Sequence, residues 1–269
     1  MSGSSFEIVD RTSQSPIVLH VPHSSRYIPA QVREGILLDD ASRERELDEA
    51  TDTLTDELAL EAVARLPGAS PSLFINRASR FVIDPERFPD DREPMNKVGM
   101  GAVYLKTTSG SQLRSDAFDP APLLDTYFHP YAKSFTELVD VLLESHGTAI
   151  VIDVHSYRAH QHPNAINHGQ RRPAMCVGTD AFHTPNWLRE LFFTEFSEIG
   201  DCFENEPYAG TYVPLKHYGK NPNVLSVMME TRADSFLDER LQPHSGFDRV
   251  VQALANLLTR IDALHHRNQ

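Results

Sequence analysis

The segment Thr148–Val154, with the sequence TAIVIDV, places the strongest constraint on how this chain can fold. It is a short and nearly continuous run of Val, Ile and Ala, which is typical of a strand covered on both faces of its sheet. Such a strand needs helices packed above and below it. We therefore expect an α/β fold in which helices lie on both faces of a mostly parallel or mixed central sheet.

The rest of the chain alternates between strand and helix patterns, as this fold requires. Further strands are predicted at Pro16–Pro22, Ser72–Ile75, Phe81–Ile83, Ala174–Val177 and Val224–Met229. Helices are predicted at Glu44–Leu66, Pro122–Glu144, Asn186–Phe196 and Phe247–Leu264. No repeat or low-complexity linker divides the sequence, so we expect a single domain over residues 1–269.

The excess of acidic residues limits the classes of molecule that this protein is expected to bind. With 25 basic and 38 acidic residues the formal charge is −13, and such a surface repels nucleic acid and anionic membranes. The first ten residues, MSGSSFEIVD, lack the basic and apolar regions of a signal peptide. Two cysteines are too few for a disulfide framework. A cytoplasmic protein is therefore expected. The sequence does not predict its oligomeric state.

Candidate chemistry collects where the predicted strands end, because ligands bind at the carboxyl ends of strands in open α/β sheets. His23 follows the first strand, His155 follows the TAIVIDV strand and Glu230 follows the Val224 strand. Two histidines and one carboxylate are a donor set for zinc that leaves a position open for water. The start of the first long helix offers carboxylates for this role: Glu46, Asp48, Glu49 and Asp52. Asp48 and Asp52 share one helix face, and Asp48 suits the role best by its position.

Two alternatives to a metal site arise from the same residues. The histidines and acids could be ordinary solvated or structural side chains. Ser24, Ser25 and Ser156 lie beside the histidines and could suggest a serine hydrolase. None of these serines has the flanking glycines of the G-x-S-x-G nucleophile turn, which argues against that chemistry.

Arginines flank a second candidate segment. Arg80 and Arg87 lie on either side of Asp84, and the planar guanidinium fork of arginine recognises carboxylates. They could bind an anionic substrate. They could equally form structural ion pairs with Asp84, and the sequence leaves both readings open.

Several of these motifs, taken in order, resemble the N-formylglutamate amidohydrolase family. The motifs are the segment from Val21 to Pro29, Asp48 with Asp52, Ser79–Asp84, Asp153–Ser156, and the run from Gly210 through Tyr218 to Glu230. This resemblance implies a fold like that of zinc carboxypeptidases and aspartoacylase, which belong to the phosphorylase/hydrolase-like group. It also implies hydrolysis of N-formyl-L-glutamate, a small anionic substrate, to formate and glutamate in histidine degradation.

The same resemblance implies roles for individual residues. It implies zinc held by His23, Asp48 and His155, and catalysis by Glu230 with Arg80. Arg80, Arg87 and Tyr218 are implied as substrate-binding residues.

The chain departs from the family pattern on the substrate side. His23-Ser24-Ser25 lacks the usual glycine, Pro130-Tyr131-Ala132 lacks the usual histidine, and Asp84-Pro85-Glu86-Arg87 replaces an Asp-Leu-Asn-Arg run. Two further functions therefore stay open: hydrolysis of another N-acyl amino acid or short peptide, and a non-catalytic module that binds metal or ligand on the same fold.

Overall fold

The computed structural model describes residues 5–9, 14–68 and 70–267, and its centre is a mixed seven-stranded sheet. The strands in chain order are β1 (Phe6–Val9), β2 (Ile17–Val21), β3 (Ser72–Asn76), β4 (Ala149–Tyr157), β5 (Met175–Gly178), β6 (Cys202–Glu204) and β7 (Val224–Arg232). Their spatial order is β1-β3-β2-β4-β7-β5-β6. Strands β3, β2, β4 and β7 run parallel, whereas β1 is antiparallel to β3 and β5 is antiparallel to β7.

The helices fill both sides of this sheet. They are α1 (Ala30–Arg33), α2 (Asp40–Ala50), α3 (Thr55–Ala64), α4 (Ala121–Leu123), α5 (His129–His146), α6 (Asn186–Phe196) and α7 (Ser245–Arg267). Short 3₁₀ segments lie at Pro94–Val98 and Ala233–Ser235, and a π-helical segment at Leu124–Phe128 joins α4 to α5. No helix among the described residues is both long and apolar enough to span a membrane.

Strand β2 shows how the sequence covers both faces of the sheet. Ile17, Leu19 and Val21 point into the core that contains side chains of α3, α6 and α7. Val18 points to the opposite core, which contains the buried face of α5. Successive side chains of a strand alternate between faces, so a strand that is buried at every position, as β2 is, must be covered on both faces. The prediction of helices on both faces is confirmed.

Two predicted elements are wrong in ways that matter for the site. The helix expected at Glu44–Leu66 is two helices, α2 and α3, separated by residues 51–54. Leu54 has φ 63°, a left-handed conformation that an uninterrupted helix cannot contain. The strand expected at Phe81–Ile83 is a buried turn, in which the amide of Val82 donates to the carbonyl of Ser79. Its apolar side chains pack in a separate core with α2 and the segment Met100–Tyr104.

The helix expected at Pro122–Glu144 is present as α4, the π-helical segment and α5 in succession. The other predicted strands and helices are present with ends shifted by a few residues, and β1 and β6 are additional edge strands. Residues 1–4 and 10–13 are among those that lie outside the described ranges. The predictions of a single domain and of no signal peptide depend partly on such residues.

Candidate metal centre and active site

Two histidines and one aspartate bring their donor atoms together at the carboxyl end of the sheet. His155 Nδ1 lies 3.1 Å from His23 Nδ1 and 3.0 Å from Asp52 Oδ2. His23 Nδ1 lies 3.6 Å from the same Asp52 oxygen. All three side chains are buried. The geometry therefore forms a compact triangle of two imidazole nitrogens and one carboxylate oxygen.

The positions of these donors follow from local structure. Strands β2 and β4 are parallel neighbours, with His20 opposite Asp153 in the register, so the ends of both strands reach the same sheet edge. Pro22 lacks an N–H, and β2 ends at the residue before it, which puts His23 just beyond the strand. Asp52 lies in the break between α2 and α3, where its backbone N–H donates to the carbonyl of His23 over 3.0 Å. Its carboxylate accepts from the Ser156 backbone N–H.

Asp48, which we expected as the carboxylate donor ahead of Asp52, lies elsewhere. Its side chain is 47% exposed and accepts a hydrogen bond of 2.6 Å from Arg26. The expectation assumed one continuous helix, in which Asp48 and Asp52 share a face. Because α2 ends at Ala50, Asp52 turns towards the histidines and Asp48 stays on the solvent side.

The donor triangle fits a divalent metal. Bonds of about 2.0–2.1 Å in tetrahedral geometry separate ligand atoms by about 3.3 Å, and the three separations lie between 3.0 and 3.6 Å. Negative charge also surrounds the triangle, since five carboxyl groups gather here with two arginines, Arg80 and Arg87, and of the five the raised pKa keeps Glu230 largely protonated at neutral pH. The five are those of Asp52, Asp84, Glu86, Asp153 and Glu230. A bound cation would balance that charge.

The outer nitrogens of both histidines face carboxylates, the usual way in which proteins orient imidazole ligands. His23 Nε2 is 3.0 Å from Asp84 Oδ1. His155 Nε2 is 3.1 Å from Asp153 Oδ1 and 3.2 Å from Glu86 Oε2. Burial alone would raise the pKa of the Asp84 carboxyl, but His23, Arg87 and Arg80 hold that pKa well below its ordinary value. Asp84 is therefore ionised and able to fix the ring of His23.

Glu230 lies opposite His155 in the register of β4 and β7. It is buried, and its Oε2 atom has no hydrogen-bond partner among the described residues. Burial raises the pKa of Glu230 to about 8, with Asp52 and Glu86 also raising it and His155 and Arg80 opposing the rise. A carboxyl group with a pKa near neutrality suits a residue that both accepts and returns a proton.

Arg80 and Arg87 converge on Asp84. Arg80 Nε is 3.3 Å from Asp84 Oδ2, and Arg87 Nε is 3.4 Å from the same oxygen. Arg80 also approaches Asp52 Oδ1 over 3.6 Å, which puts a fixed positive charge next to the donor triangle. The sequence left open whether Arg80 and Arg87 form structural ion pairs or bind an anionic substrate. The two roles are compatible, because both arginines are ion-paired and both line the cavity that contains His155 and Glu230.

Comparison with known proteins identifies the family. The family model of N-formylglutamate amidohydrolase matches residues 15–237. The chain belongs to the N-formylglutamate amidohydrolase family. A comparison with curated protein sequences finds no significant match.

Two solved structures are similar to this member of the N-formylglutamate amidohydrolase family. One is an N-formylglutamate amidohydrolase from Ralstonia eutropha JMP134, with 22% identity and a TM-score of 0.81, covering 99% of this chain and 100% of that one. The other is the gene product Atu2144 from Agrobacterium tumefaciens, with 17% identity and a TM-score of 0.68, covering 99% and 97%. At these identities the likeness shows a shared fold.

Tyr218, predicted from the N-formylglutamate amidohydrolase motifs, lies apart from the donor triangle. It is 42% exposed, stacks on His183 and lines a neighbouring cavity of about 640 Å³. That cavity contains residues of α5 and of the segment from Ala209 to Tyr218, and it shares Glu86, Arg87 and Met228 with the cavity around Glu230.

Sequence reasoning gave no role to three members of the site: the buried His20 and Asp153, and the partly buried Glu86. His20 Nδ1 is 2.9 Å from Asp153 Oδ1, and its Nε2 is 2.6 Å from the hydroxyl of Tyr131. Both ring nitrogens therefore already have protein partners, so we read this group as support for His155 rather than as a second metal site. A signal was available, because Asp153 and His155 are two residues apart in a strand and must share a face.

Proposed function

We propose that this chain hydrolyses the amide bond of N-formyl-L-glutamate, giving formate and glutamate. Membership of the N-formylglutamate amidohydrolase family supports the reaction class. The observation that carries the proposal is the triangle of His23 Nδ1, His155 Nδ1 and Asp52 Oδ2 next to the buried Glu230. We further propose that these three residues hold one zinc ion on a fold like that of the zinc carboxypeptidases.

Zinc, when bound, supplies a Lewis acid that polarises the scissile carbonyl and lowers the pKa of water. Glu230 takes a proton from the attacking water and returns it to the nitrogen of the leaving amine. Hydroxide thus adds to the carbonyl carbon, the C–N bond breaks, and the amine leaves with the proton that Glu230 carried. In the metal-free site, burial raises the pKa of Glu230 to about 8, which indicates surroundings in which this carboxyl group readily takes up a proton.

Arg80 stabilises the negative charge that develops on the carbonyl oxygen. Its ion pairs with Asp52 and Asp84 hold the guanidinium in place before substrate arrives, and preorganised positive charge is more effective in a buried site than in water. Arg87, which lines the same cavity, is proposed to contact a substrate carboxylate. Tyr218 lines the neighbouring cavity and not the one around Glu230, so we assign it no role in the reaction.

Glu230 favours an enzyme over a non-catalytic binding module. A module that only holds metal needs the three donors and no additional carboxyl group with a raised pKa beside them. Hydrolysis of a different N-acyl amino acid or short peptide uses the same residues, so the substrate has to be measured directly. We also propose one cytoplasmic domain that binds neither nucleic acid nor membrane, in keeping with the net charge of −13.

The proposal is tested by assaying zinc-loaded protein on N-formyl-L-glutamate, with and without a chelator, beside the variant Glu230→Gln. We expect turnover that stops on chelation and returns with zinc. Glu230→Gln should retain the metal and lose roughly 10²–10⁴-fold in kcat, since it cannot transfer a proton. Wild-type protein with full metal content and no activity on this substrate would refute the assignment, and near-normal kcat in Glu230→Gln would refute the role of Glu230.

A further inference from the structure

The cavity that contains the proposed metal centre is lined by more positive charge than the reaction at the carbonyl requires. It measures about 320 Å³ and is bordered by Asp52, His155 and Glu230. Four arginines also line it: Arg80, Arg87, Arg158 and Arg172. The role of each guanidinium depends on which of them already has an acidic partner.

Three of these arginines are ion-paired. Arg80 and Arg87 contact Asp84, as described above. Arg158 lies 3.6 Å from Glu49, which also contacts His160. Arg172 differs, because no carboxylate of the residues that the structure describes lies within 4.0 Å of its guanidinium. Its charge is therefore available to a ligand.

The guanidinium of Arg172 is nevertheless held firmly by uncharged groups. Its Nε and Nη2 atoms donate to the carbonyl of Arg158 over 3.1 and 2.8 Å, and Nη2 also lies 3.3 Å from the hydroxyl of Tyr208. Its central carbon lies 4.8 Å from the ring centroid of Tyr157. Nη1 has no hydrogen-bond partner among the described residues. One edge of the fork is thus fixed to the protein, and the other remains for an acceptor from the cavity.

We propose that Arg172 binds the side-chain carboxylate of an acidic N-acyl amino acid and so determines substrate specificity. This inference rests on the proposed function, and it names the residue that distinguishes glutamate from neutral amino acids. A partly buried cation without a counter-ion is costly, and a carboxylate in the cavity supplies that counter-ion. A guanidinium that is ordered before binding also loses little conformational freedom when the ligand arrives. Arg80 is less suited to this task because Asp52 and Asp84 already compensate its charge.

The test compares two substrates of nearly equal shape, N-formyl-L-glutamate and N-formyl-L-glutamine, in wild type and Arg172→Gln. The measured quantity is the ratio of kcat/KM for the acidic substrate to that for the neutral one. We expect Arg172→Gln to lower this ratio at least about 30-fold, since the substrate carboxylate loses its charged partner. Arg172→Lys should lower it less, because a point charge replaces the fork.

Arg171→Gln is the matched control. Arg171 is the next residue, its side chain is 65% exposed, and it pairs with Glu206 outside the cavity. We expect the ratio to be preserved in this control. An unchanged ratio in Arg172→Gln, or equal losses on both substrates, would overturn the proposal.

A binding measurement separates this proposal from the proposed function. Calorimetric titration of zinc-loaded protein with L-glutamate and with L-glutamine should show that Arg172→Gln weakens binding of glutamate selectively. If wild type hydrolyses neither substrate but this selective weakening is found, the proposed function fails and the role of Arg172 stands. If L-glutamate does not bind to wild type, or binds equally to wild type and Arg172→Gln, the role of Arg172 is refuted.

Discussion

Glu230 is a buried carboxyl group whose pKa is raised to about 8 from an ordinary 4.5, mainly by burial. Between those two values the folded protein holds a proton that the unfolded chain releases. In metal-free protein the contribution of protonated Glu230 to the free energy of unfolding is therefore complete below about pH 4.5, and it is lost as the pH rises towards 8. The slope is at most about 1.4 kcal/mol per pH unit.

The variant Glu230→Gln lacks this titration. We predict that the free energy of unfolding of metal-free Glu230→Gln exceeds that of metal-free wild type by a margin that grows from pH 5 to pH 8. Urea denaturation at several pH values measures the margin. A margin that stays constant over this range would show that the pKa of Glu230 is not raised.

Substitutions of Arg80 and of Arg172 are predicted to affect the kinetics on the acidic and neutral substrates differently. Arg80 lies between Asp52 and Asp84 beside the donor triangle, so Arg80→Gln should lower kcat on N-formyl-L-glutamate and N-formyl-L-glutamine alike. Loss of one oxyanion donor typically costs about 10²–10³-fold in kcat. Steady-state kinetics on metal-replete protein provides the check, and a loss confined to the acidic substrate would instead make Arg80 the specificity residue.

Asp84 supports the metal centre without contributing to the donor triangle. It accepts from Tyr104 over 3.0 Å and lies against His23, Arg80 and Arg87. We predict that Asp84→Asn weakens zinc binding about 10–100-fold, the usual cost of losing a carboxylate that orients a histidine ligand. Competition with a zinc chelator of known affinity measures this. Tyr104→Phe, which removes only one hydrogen bond to Asp84, should have a smaller effect, and equal zinc affinity in Asp84→Asn and wild type would contradict the role.

At the scale of elements, the break between α2 and α3 decides which carboxylate reaches the histidines. The apolar residues Leu47, Leu54, Leu58 and Val63 recur at roughly helical spacing and so predict one helix, but Leu54 lies between α2 and α3. The interruption depends on a long-range hydrogen bond from the Asp52 amide to His23, twenty-nine positions earlier in the chain. Helical periodicity carries no information on such a contact. The choice between Asp48 and Asp52 could therefore not be made from sequence alone.

Helix α5 supports the site through its buried face. The ring of Phe135 is fully buried, and its centroid lies 4.6 Å from that of His20. We predict that Phe135→Ala lowers the free energy of unfolding by about 3–5 kcal/mol, as deletion of a buried aromatic ring does. Val141 on the same helix is 49% exposed, so Val141→Ala should change the free energy of unfolding by no more than about 0.5 kcal/mol. Similar losses in both variants, measured by denaturant unfolding, would contradict this packing.

For the whole molecule, the sequence predicted the parts that depend on local apolar patterns. The buried strands β2, β4 and β7 and the helices α6 and α7 are present near their expected positions, and so are the histidines at the sheet edge. The edge strands β1 and β6 were missed because they are short and only partly buried. The pairing of Arg80 and Arg87 with Asp84 was one of the readings that the sequence offered, but the partners of Arg158 and Arg172 were not predicted, since they depend on how the segment after β4 packs around the cavity.

The molecule collects five carboxyl groups around one buried centre, and this arrangement should make its stability depend on metal. We predict that chelation lowers the melting temperature of wild type and that added zinc restores it. Saturation at 100 times the dissociation constant stabilises a folded protein by about 2.7 kcal/mol. Calorimetry of Asp52→Asn provides the control, since it should respond little to either treatment. A wild-type melting temperature that is indifferent to chelator and zinc would contradict the site.

The measurement that tests the account most directly is the metal content of three proteins purified in parallel: wild type, Asp48→Asn and Asp52→Asn. Elemental analysis after zinc loading and removal of free metal gives the number of zinc ions per chain. We predict about one in wild type and in Asp48→Asn, and far less in Asp52→Asn, because only Asp52 shares the triangle with His23 and His155. Full zinc in Asp52→Asn with loss in Asp48→Asn, or no zinc in wild type, would contradict the account.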